Sequence, residues 1–316
     1  MKRDNTTDRR IYAVGETILD IIFKGDQPMA ARPGGSSFNA AITLGRLGAP
    51  VTMISEMGND RVGDMIAAFM EGNGVDTGSI SRYEKGQSAI ALAFLNAESD
   101  AEYQFYKDYP HQRLQVEYPV FSPKDLLLFG SFYALNPGIR PRLKQLLQKA
   151  SEAGVLILYD PNFRSTHMPE REELLPVILE NMGYATVVRA SDEDLLNIFH
   201  VKSPEDAWER VRHHCVALVY TANAHGVHLV TEHLNLHLDV EVIEPVSTIG
   251  AGDTFNAGII YGLYERGYRK EQIGSLGSQQ WEEILKGAME FSREVCLSYD
   301  NYLPLEAALR IRRPVE

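Results

Sequence analysis

The stretch Ser247-Thr248-Ile249-Gly250-Ala251-Gly252-Asp253-Thr254-Phe255-Asn256 holds the residue types best suited to chemistry in this chain. Two glycines flank an alanine and an acid follows, just where Phe255, Ile259, Ile260 and Leu263 begin a helical spacing. Such a turn points the backbone N–H groups of 250–253 outward at the positive end of a helix dipole. That arrangement binds anions, phosphate above all. A carboxylate is unfavourable there unless it has a task. Taking a proton from a hydroxyl that then attacks a phosphoryl group is one that fits. An ordinary helix start with Asp253 as a first-turn acid fits equally well, and these residues alone do not choose.

A second glycine-rich site is Gly34-Gly35-Ser36-Ser37-Phe38-Asn39-Ala40. The glycine pair lets a ligand approach the backbone, and Ser36 or Ser37 is placed to cap the helix that follows. Asn39 then falls in the first turn, with an amide able to pair with sugar hydroxyls. Loop glycines before a capped helix are the plainer account of the same residues.

The elements that must position these sites follow from periodicity. Ile11–Gly15, Ile18–Phe23 and Val51–Ser55 read as strands, Ser36–Leu47 and Arg61–Glu71 as helices. Ser88–Asn96 and Ala101–Lys107 form a strand pair joined by the polar turn Ala97–Asp100. From residue 125 strands and helices alternate. Strands fall at Leu126–Phe129, Val155–Tyr159, Thr186–Val188 and Val216–Thr221, and a β segment at Val227–Val240. Helices fall at Arg140–Ala153, Glu170–Met182, Ser203–His214, Asp253–Arg266 and Trp281–Leu297. That rhythm predicts an α/β fold, a mostly parallel sheet covered on both faces, with ligands at the carboxyl ends of its strands. The expected organisation is a disordered lead-in over 1–10 and one domain over 11–316. Strands near 18–33 and 88–107 are free to form a small lid sheet over the site.

Composition narrows the function classes. The 316 residues carry 31 Lys and Arg against 43 Asp and Glu, a net charge of −12. An acidic chain lacks the cationic surface that nucleic acids and anionic membranes require, so neither is an expected partner. The two cysteines, Cys215 and Cys296, lie far apart and make no C-x-x-C, and the expected location is the cytoplasm. No run of apolar residues is long enough for a membrane span, and the polar start is not a secretory signal.

A Walker loop is absent, position 255 is Phe where a dinucleotide fingerprint needs Gly, and there is no G-x-S-x-G. His225 with His228, and His233 with His237, have suggestive spacings but fall in a β hairpin. An i, i+3 pair there faces opposite ways. A metal site is not expected from them.

Together, Gly-Gly-x-x-x-Asn-x-Ala at 34–41 and Gly-Ala-Gly-Asp-x-Phe-x-x-Gly at 250–258 resemble the two signatures of the ribokinase-like (PfkB) carbohydrate kinases. The resemblance runs from Ile11 to about Tyr302. Gly15-Glu16-x-x-x-Asp20 and Asp160-Pro161-Asn162-Phe163-Arg164 resemble its fructokinase and ketodeoxygluconate-kinase branch. It implies a ribokinase-like three-layer sandwich with a β-sheet lid, and a cytoplasmic sugar kinase using ATP and Mg²⁺, with a monovalent cation such as K⁺. It further implies Asp253 as the base, with Gly250, Ala251 and Gly252 cradling the phosphoryl group. Asp20, Gly34, Gly35, Asn39, Phe105, Lys107 and Arg164 match sugar-facing positions, and Ser191, Thr221, Asn223 and Gly226 nucleotide-facing ones. Asp194 matches an acid that organises Mg²⁺ through water, and relatives often form a homodimer through the lid sheet.

Four departures from the family pattern bear on details. Lys107 stands where an Arg is common, and an ammonium cannot grip a carboxylate bidentately, so a sugar-acid substrate is disfavoured. Ser247 replaces an Asp beside the cation loop, Ser191 to Asp194 replaces Asn-x-x-Glu, and Asn223 replaces a glycine of the nucleotide loop. The expected activity is transfer of the γ-phosphate of ATP to a small free sugar, fructose first and 2-keto-3-deoxygluconate second. A sugar- or nucleotide-binding regulator without turnover is the alternative of another class.

Overall fold

The computed structural model describes residues 9–95 and 101–312, so the turn expected over Ala97–Asp100 and residues 1–8 of the lead-in lie outside it. A nine-stranded sheet forms its middle layer. Strand β1 (Ile11–Val14) lies inside it, with β4 (Val51–Gly58) and then β5 (Asp76–Tyr83) on one side. On the other side come β8 (Leu126–Gly130), β9 (Leu156–Asp160), β10 (Val187–Ser191), β11 (Ala217–Thr221), β12 (Val227–Thr231) and β13 (Asn235–Leu238). The pairings are parallel up to β11, and β12 and β13 close the sheet antiparallel. Strands covered on both faces read as unbroken apolar runs. Leu126–Gly130 and Leu156–Asp160 are buried at every position, as that rule requires.

Helices α1 (Ser36–Arg46), α2 (Arg61–Gly72), α7 (Ala251–Glu265) and α8 (Ser278–Cys296) cover one face, through Phe38, Met70, Ile259 and Trp281. Helices α3 (Arg140–Glu152), α4 (Arg171–Tyr184), α5 (Asp192–Phe199) and α6 (Pro204–Val211) cover the other, through Leu146, Ile178, Ile198 and Trp208. The short α9 (Leu305–Ile311) packs on α1. Strand order breaks at β1, whose neighbours are β4 and β8. A crevice opens at the carboxyl ends of an α/β sheet where the order reverses, which fixes the place of the site.

Above that end stands a second sheet of four strands in the order β3 (Gln27–Gly34), β2 (Ile18–Lys24), β6 (Gln87–Leu95), β7 (Ala101–Asp108). Strand β3 falls within the stretch near 18–33 expected to hold lid strands but is not marked there as a separate strand, because its edge position leaves half of it exposed and Pro28 and Pro33 break any apolar alternation. Proline is tolerated on an edge strand, where no neighbour needs its N–H. Strand β5, also an edge, and helices α5 and α9 are hidden for a similar reason, their apolar stripes being too short. Strand β10 runs three residues past the expected Thr186–Val188, and this extension carries Arg189 to the end of the sheet where the site lies.

Arg9, within the lead-in expected over 1–10, belongs instead to the folded body. It is buried, and its guanidinium donates to the carbonyls of Lys124, Leu263, Tyr264 and Tyr268. Arg32 ties the lid to the C-terminal segment, donating to the Tyr299 carbonyl at 2.6 Å and pairing with Asp300 at 3.4 Å.

Candidate active site

Helix α7 starts at Gly250, whose φ of 79° lies in the left-handed region. A side chain there would also collide with the Asn301 carbonyl, so only glycine makes this turn. The amide of Ala251 turns back to the Thr248 carbonyl at 3.3 Å, so the four expected outward amides reduce by one. Gly252 and Asp253 continue the first turn at the positive end of a fifteen-residue helix.

Asp253 meets α1 across the crevice. Its Oδ1 accepts from Ser36 Oγ at 2.6 Å and its Oδ2 from Asn39 Nδ2 at 2.8 Å. Burial pushes the carboxyl above the usual carboxylate range, the two hydrogen bonds oppose that shift, and the charge of Asp160 adds to it. Both donors are neutral. The expected roles of α1 change accordingly. Neither serine caps the helix, whose N-cap is Gly35: Ser36 donates to the acid, and Ser37 to the Val14 carbonyl at 2.8 Å. Asn39, expected to face sugar hydroxyls, spends its amide N–H on Asp253, and its buried Oδ1 has no protein partner.

A second carboxylate lies on the other side of the same helix start. Asp160, at the end of β9, accepts from Arg189 Nη1 at 2.8 Å and from Asn256 Nδ2 at 2.6 Å, both on Oδ2. Its Oδ1 takes the Asn162 amide at 2.9 Å. Arg189 also donates through Nη2 to Thr221 Oγ1 at 2.8 Å. The Gly252 turn presses on this guanidinium, since a Cβ there would stand 3.0 Å from Nη1.

The fold, the opposed glycine turns and the paired acids meet a decisive comparison. The profile described as pfkB family carbohydrate kinase matches residues 8–307. The chain is a PfkB family carbohydrate kinase. It is 29% identical over 260 residues to fructokinase-1 of Oryza sativa subsp. japonica, covering 78% of this chain and 80% of the relative. A double mutant of the fructokinase of Vibrio cholerae O395, solved with fructose, ADP and potassium ion, superposes with a TM-score of 0.80 at 21% identity over 96% of this chain and 97% of the other. The aminoimidazole riboside kinase of Salmonella enterica does so with a TM-score of 0.80 at 21% identity, over 97% and 100%. Among the described residues no helix is long and apolar enough to cross a membrane.

On the lid side of this PfkB kinase, Asp20 packs over Gly34, its Oδ2 standing 2.7 Å from where a Cβ would be. Burial raises its carboxyl to about 7, and the charge of Glu16 adds to that. Tyr103 feels the charges of both Asp20 and Arg164, so the structure brings these sugar-facing candidates into one field. Arg164 is exposed. Phe105 is exposed and stacks on Tyr103 with centroids 5.9 Å apart. Lys107 is not free to reach a ligand: Glu16 holds its Nζ at 2.8 Å and also accepts from the Tyr109 hydroxyl.

On the other side, Thr221 ends β11, and Asn223 and Gly226 take φ values of 46° and 99° in the loop that follows. The glycine-like turn thus persists at Asn223, a residue that tolerates the left-handed region. Ser191 caps α5 and donates to Asp194, whose Oδ1 takes the Phe163 amide at 2.6 Å and whose Oδ2 takes the Ser191 hydroxyl at 2.6 Å. Asp194 is buried with both oxygens engaged by protein donors, so it braces the loop at 163 against α5. Any metal role of Asp194 would therefore run through water, since both its oxygens already accept protein donors.

The histidines regroup too. His228 and His237 are cross-strand partners with rings stacked at 4.3 Å, a pairing that local spacing cannot reveal. Arg189, Asn256 and Ser36 join the site without having stood out in the sequence as site residues. The signal for Asn256 is its place one turn after Gly252. For Arg189 it is a charge in the middle of a short, mostly apolar strand.

Proposed function

We propose that this chain transfers the γ-phosphate of ATP to a hydroxyl of a small neutral sugar, fructose first among them. The observation that carries the reading is the Asp253 carboxylate at the start of α7, with an O–H donor already seated on it at 2.6 Å. A sugar hydroxyl in the place of the Ser36 hydroxyl would hand its proton to Asp253 as its oxygen attacks the γ-phosphorus. The bond to the β–γ bridging oxygen breaks, and ADP leaves with that electron pair. Gly250 and Gly252 would hold the transferring group from the dipole's positive end, with Ala251, whose amide the Thr248 carbonyl accepts, shaping the turn.

Lid residues argue for a neutral substrate. Glu16 has already claimed Lys107, so no free ammonium is offered there to a substrate carboxylate. A sugar acid would find Arg164 as the cation on offer. Asp20, Gly34, Gly35 and Asn39 would hold sugar hydroxyls, with Phe105 as a lid wall. Ser191, Thr221, Asn223 and Gly226 would line the nucleotide side.

Among the described residues no group of three or more His, Cys, Asp or Glu forms a metal cage. Mg²⁺ commonly rides on phosphate oxygens and water with few protein ligands, and the donor set fits that use. Asp194 would serve it through water, and bound Mg²⁺ would neutralise phosphate charge. Ser247 stands beside the expected loop for K⁺, so turnover with and without that cation reports whether the loop functions. Tyr106 lies exposed on β7, on the face opposite Tyr103 and Phe105, where a homodimer through the lid sheet would bury it, and light scattering tests that.

The deciding experiment is a substrate panel with Mg-ATP and ADP readout. It should contain fructose, other neutral sugars, aminoimidazole riboside and 2-keto-3-deoxygluconate. Preference for the keto acid over fructose would put the sugar acid first, and failure on every neutral sugar would refute the reading.

A further inference from the structure

Arg189 is an unusual residue for its position. Its side chain is 11% exposed, and it lies beside the first turn of α7, where a helix dipole repels positive charge. Burying a guanidinium there is unfavourable unless anions offset it. Asp160 supplies one by a direct bond, though the oxygen that receives Nη1 is shared with Asn256, and the charges of Asp194 and Asp253 add to it without bonding the guanidinium. A guanidinium has five N–H donors. Two are spent, on Asp160 and Thr221, and the buried Nε has no protein partner. The guanidinium plane thus has donors to spare and stands against the Gly252 turn that forms the anion site.

Resting on the sugar-kinase reading, we propose that Arg189 is a further catalytic residue, its guanidinium binding the phosphoryl group as it passes from ATP to the sugar. The glycine turn supplies amides to that group from one side, and Arg189 supplies a fixed positive charge from the other. Asp160 and Thr221 act on the reaction through it. They hold the fork in place before the phosphoryl group arrives, so little reorganisation is needed when negative charge shifts toward the leaving oxygen. No atom is transferred to or from Arg189. The sugar proton goes to Asp253, and the guanidinium stays charged throughout.

The test compares Arg189→Met, Arg189→Lys and the double variant Arg189→Met with Asp160→Asn, which removes the charge left unpaired by the first change. In Arg189→Met, kcat should fall by about 10²–10³, the usual effect of losing one preorganised donor to a transition state. KM for the sugar should change little. Arg189→Lys should recover part of the rate, because an ammonium keeps the charge but loses the fork. The double variant should regain thermal stability without regaining kcat. A binding arm uses MgADP with and without aluminium fluoride in the presence of fructose. Aluminium fluoride should tighten MgADP binding in the native chain and not in Arg189→Met.

If the double variant recovers kcat, or Arg189→Met still responds fully to aluminium fluoride, Arg189 serves only to neutralise Asp160 and the proposal fails. A native chain that phosphorylates no panel sugar overturns the sugar-kinase reading instead. An Arg189→Met chain with native turnover overturns the role of Arg189 alone.

Discussion

Two carboxylates flank the start of helix α7, and they are held in opposite ways. Asp253 faces α1 and is bound by a hydroxyl and an amide, both neutral and both exchangeable for a substrate hydroxyl. Asp160 faces β10 and is locked by a guanidinium and an amide, 4% exposed against 11% for its partner. Burial raises the proton affinity of Asp253; no cation is bonded to it, and the charge of Arg189 opposes the shift only from a distance. Asp160 is fixed by the guanidinium bonded to it. On the function proposed above, one helix end would carry a reactive acid and a structural one, told apart by their partners.

The largest effect that would break this comparison is on rate. Asp253→Asn should lower kcat by about 10²–10⁴, the contribution of a general base, measured by coupled ADP release. Its melting temperature should hold or rise, because a carboxyl with raised proton affinity gives up stability when it ionises. A normal rate in that variant would remove the distinction altogether. Asp160→Ala should act on the other axis. Stranding Arg189 without its counter-ion should cost about 3–5 kcal/mol of unfolding free energy, read from urea denaturation. A variant as stable as the native chain would show that Asp160 is no anchor.

The smallest effect extends the comparison to the lid. Asp20 also lacks a bonded cation, and its carboxyl rises from 3.8 to about 7. The folded chain keeps that proton up to about pH 7 while the unfolded chain loses it near 3.8, so ionisation of Asp20 lowers stability as pH rises through that window. Ligand binding should run the other way. An ionised Asp20 accepts sugar hydroxyls more strongly by about 1 kcal/mol, so KM should fall about fivefold on raising pH through 7. Asp20→Asn should flatten the profile, and an unchanged pH dependence in that variant would assign the titration to another group.

These acids also show what a sequence can reveal. The glycine turns at 34–35 and 250–252 are legible because their function is local: a bare backbone, a helix start, a short polar residue at fixed spacing. The sheet is legible for a similar reason in β8 and β9, whose runs are apolar at nearly every buried position. What joins the two halves is not. Ser36 reaches Asp253 across 217 residues and Asn256 reaches Asp160 across 96, and no periodicity encodes such meetings. Asp194 reads two ways because an acid that caps its own helix and an acid that serves an ion share one residue type. Edge strands β3 and β5 hide because much of their surface faces water, so their composition resembles that of loops.

Arg32 adds a noncovalent attachment to the four chain connections of the lid sheet, the entries to β2 and β6 and the exits from β3 and β7. Fastened also to the Tyr299 carbonyl, through a bond spanning 267 residues, the lid sheet has its tilt set by the tail of the chain. Two residues further on, the Asn301 carbonyl rests on Gly250. The lid edge at Arg32 and the glycine turn at Gly250 thus touch one stretch of three residues, so the aperture above is measured against the turn below.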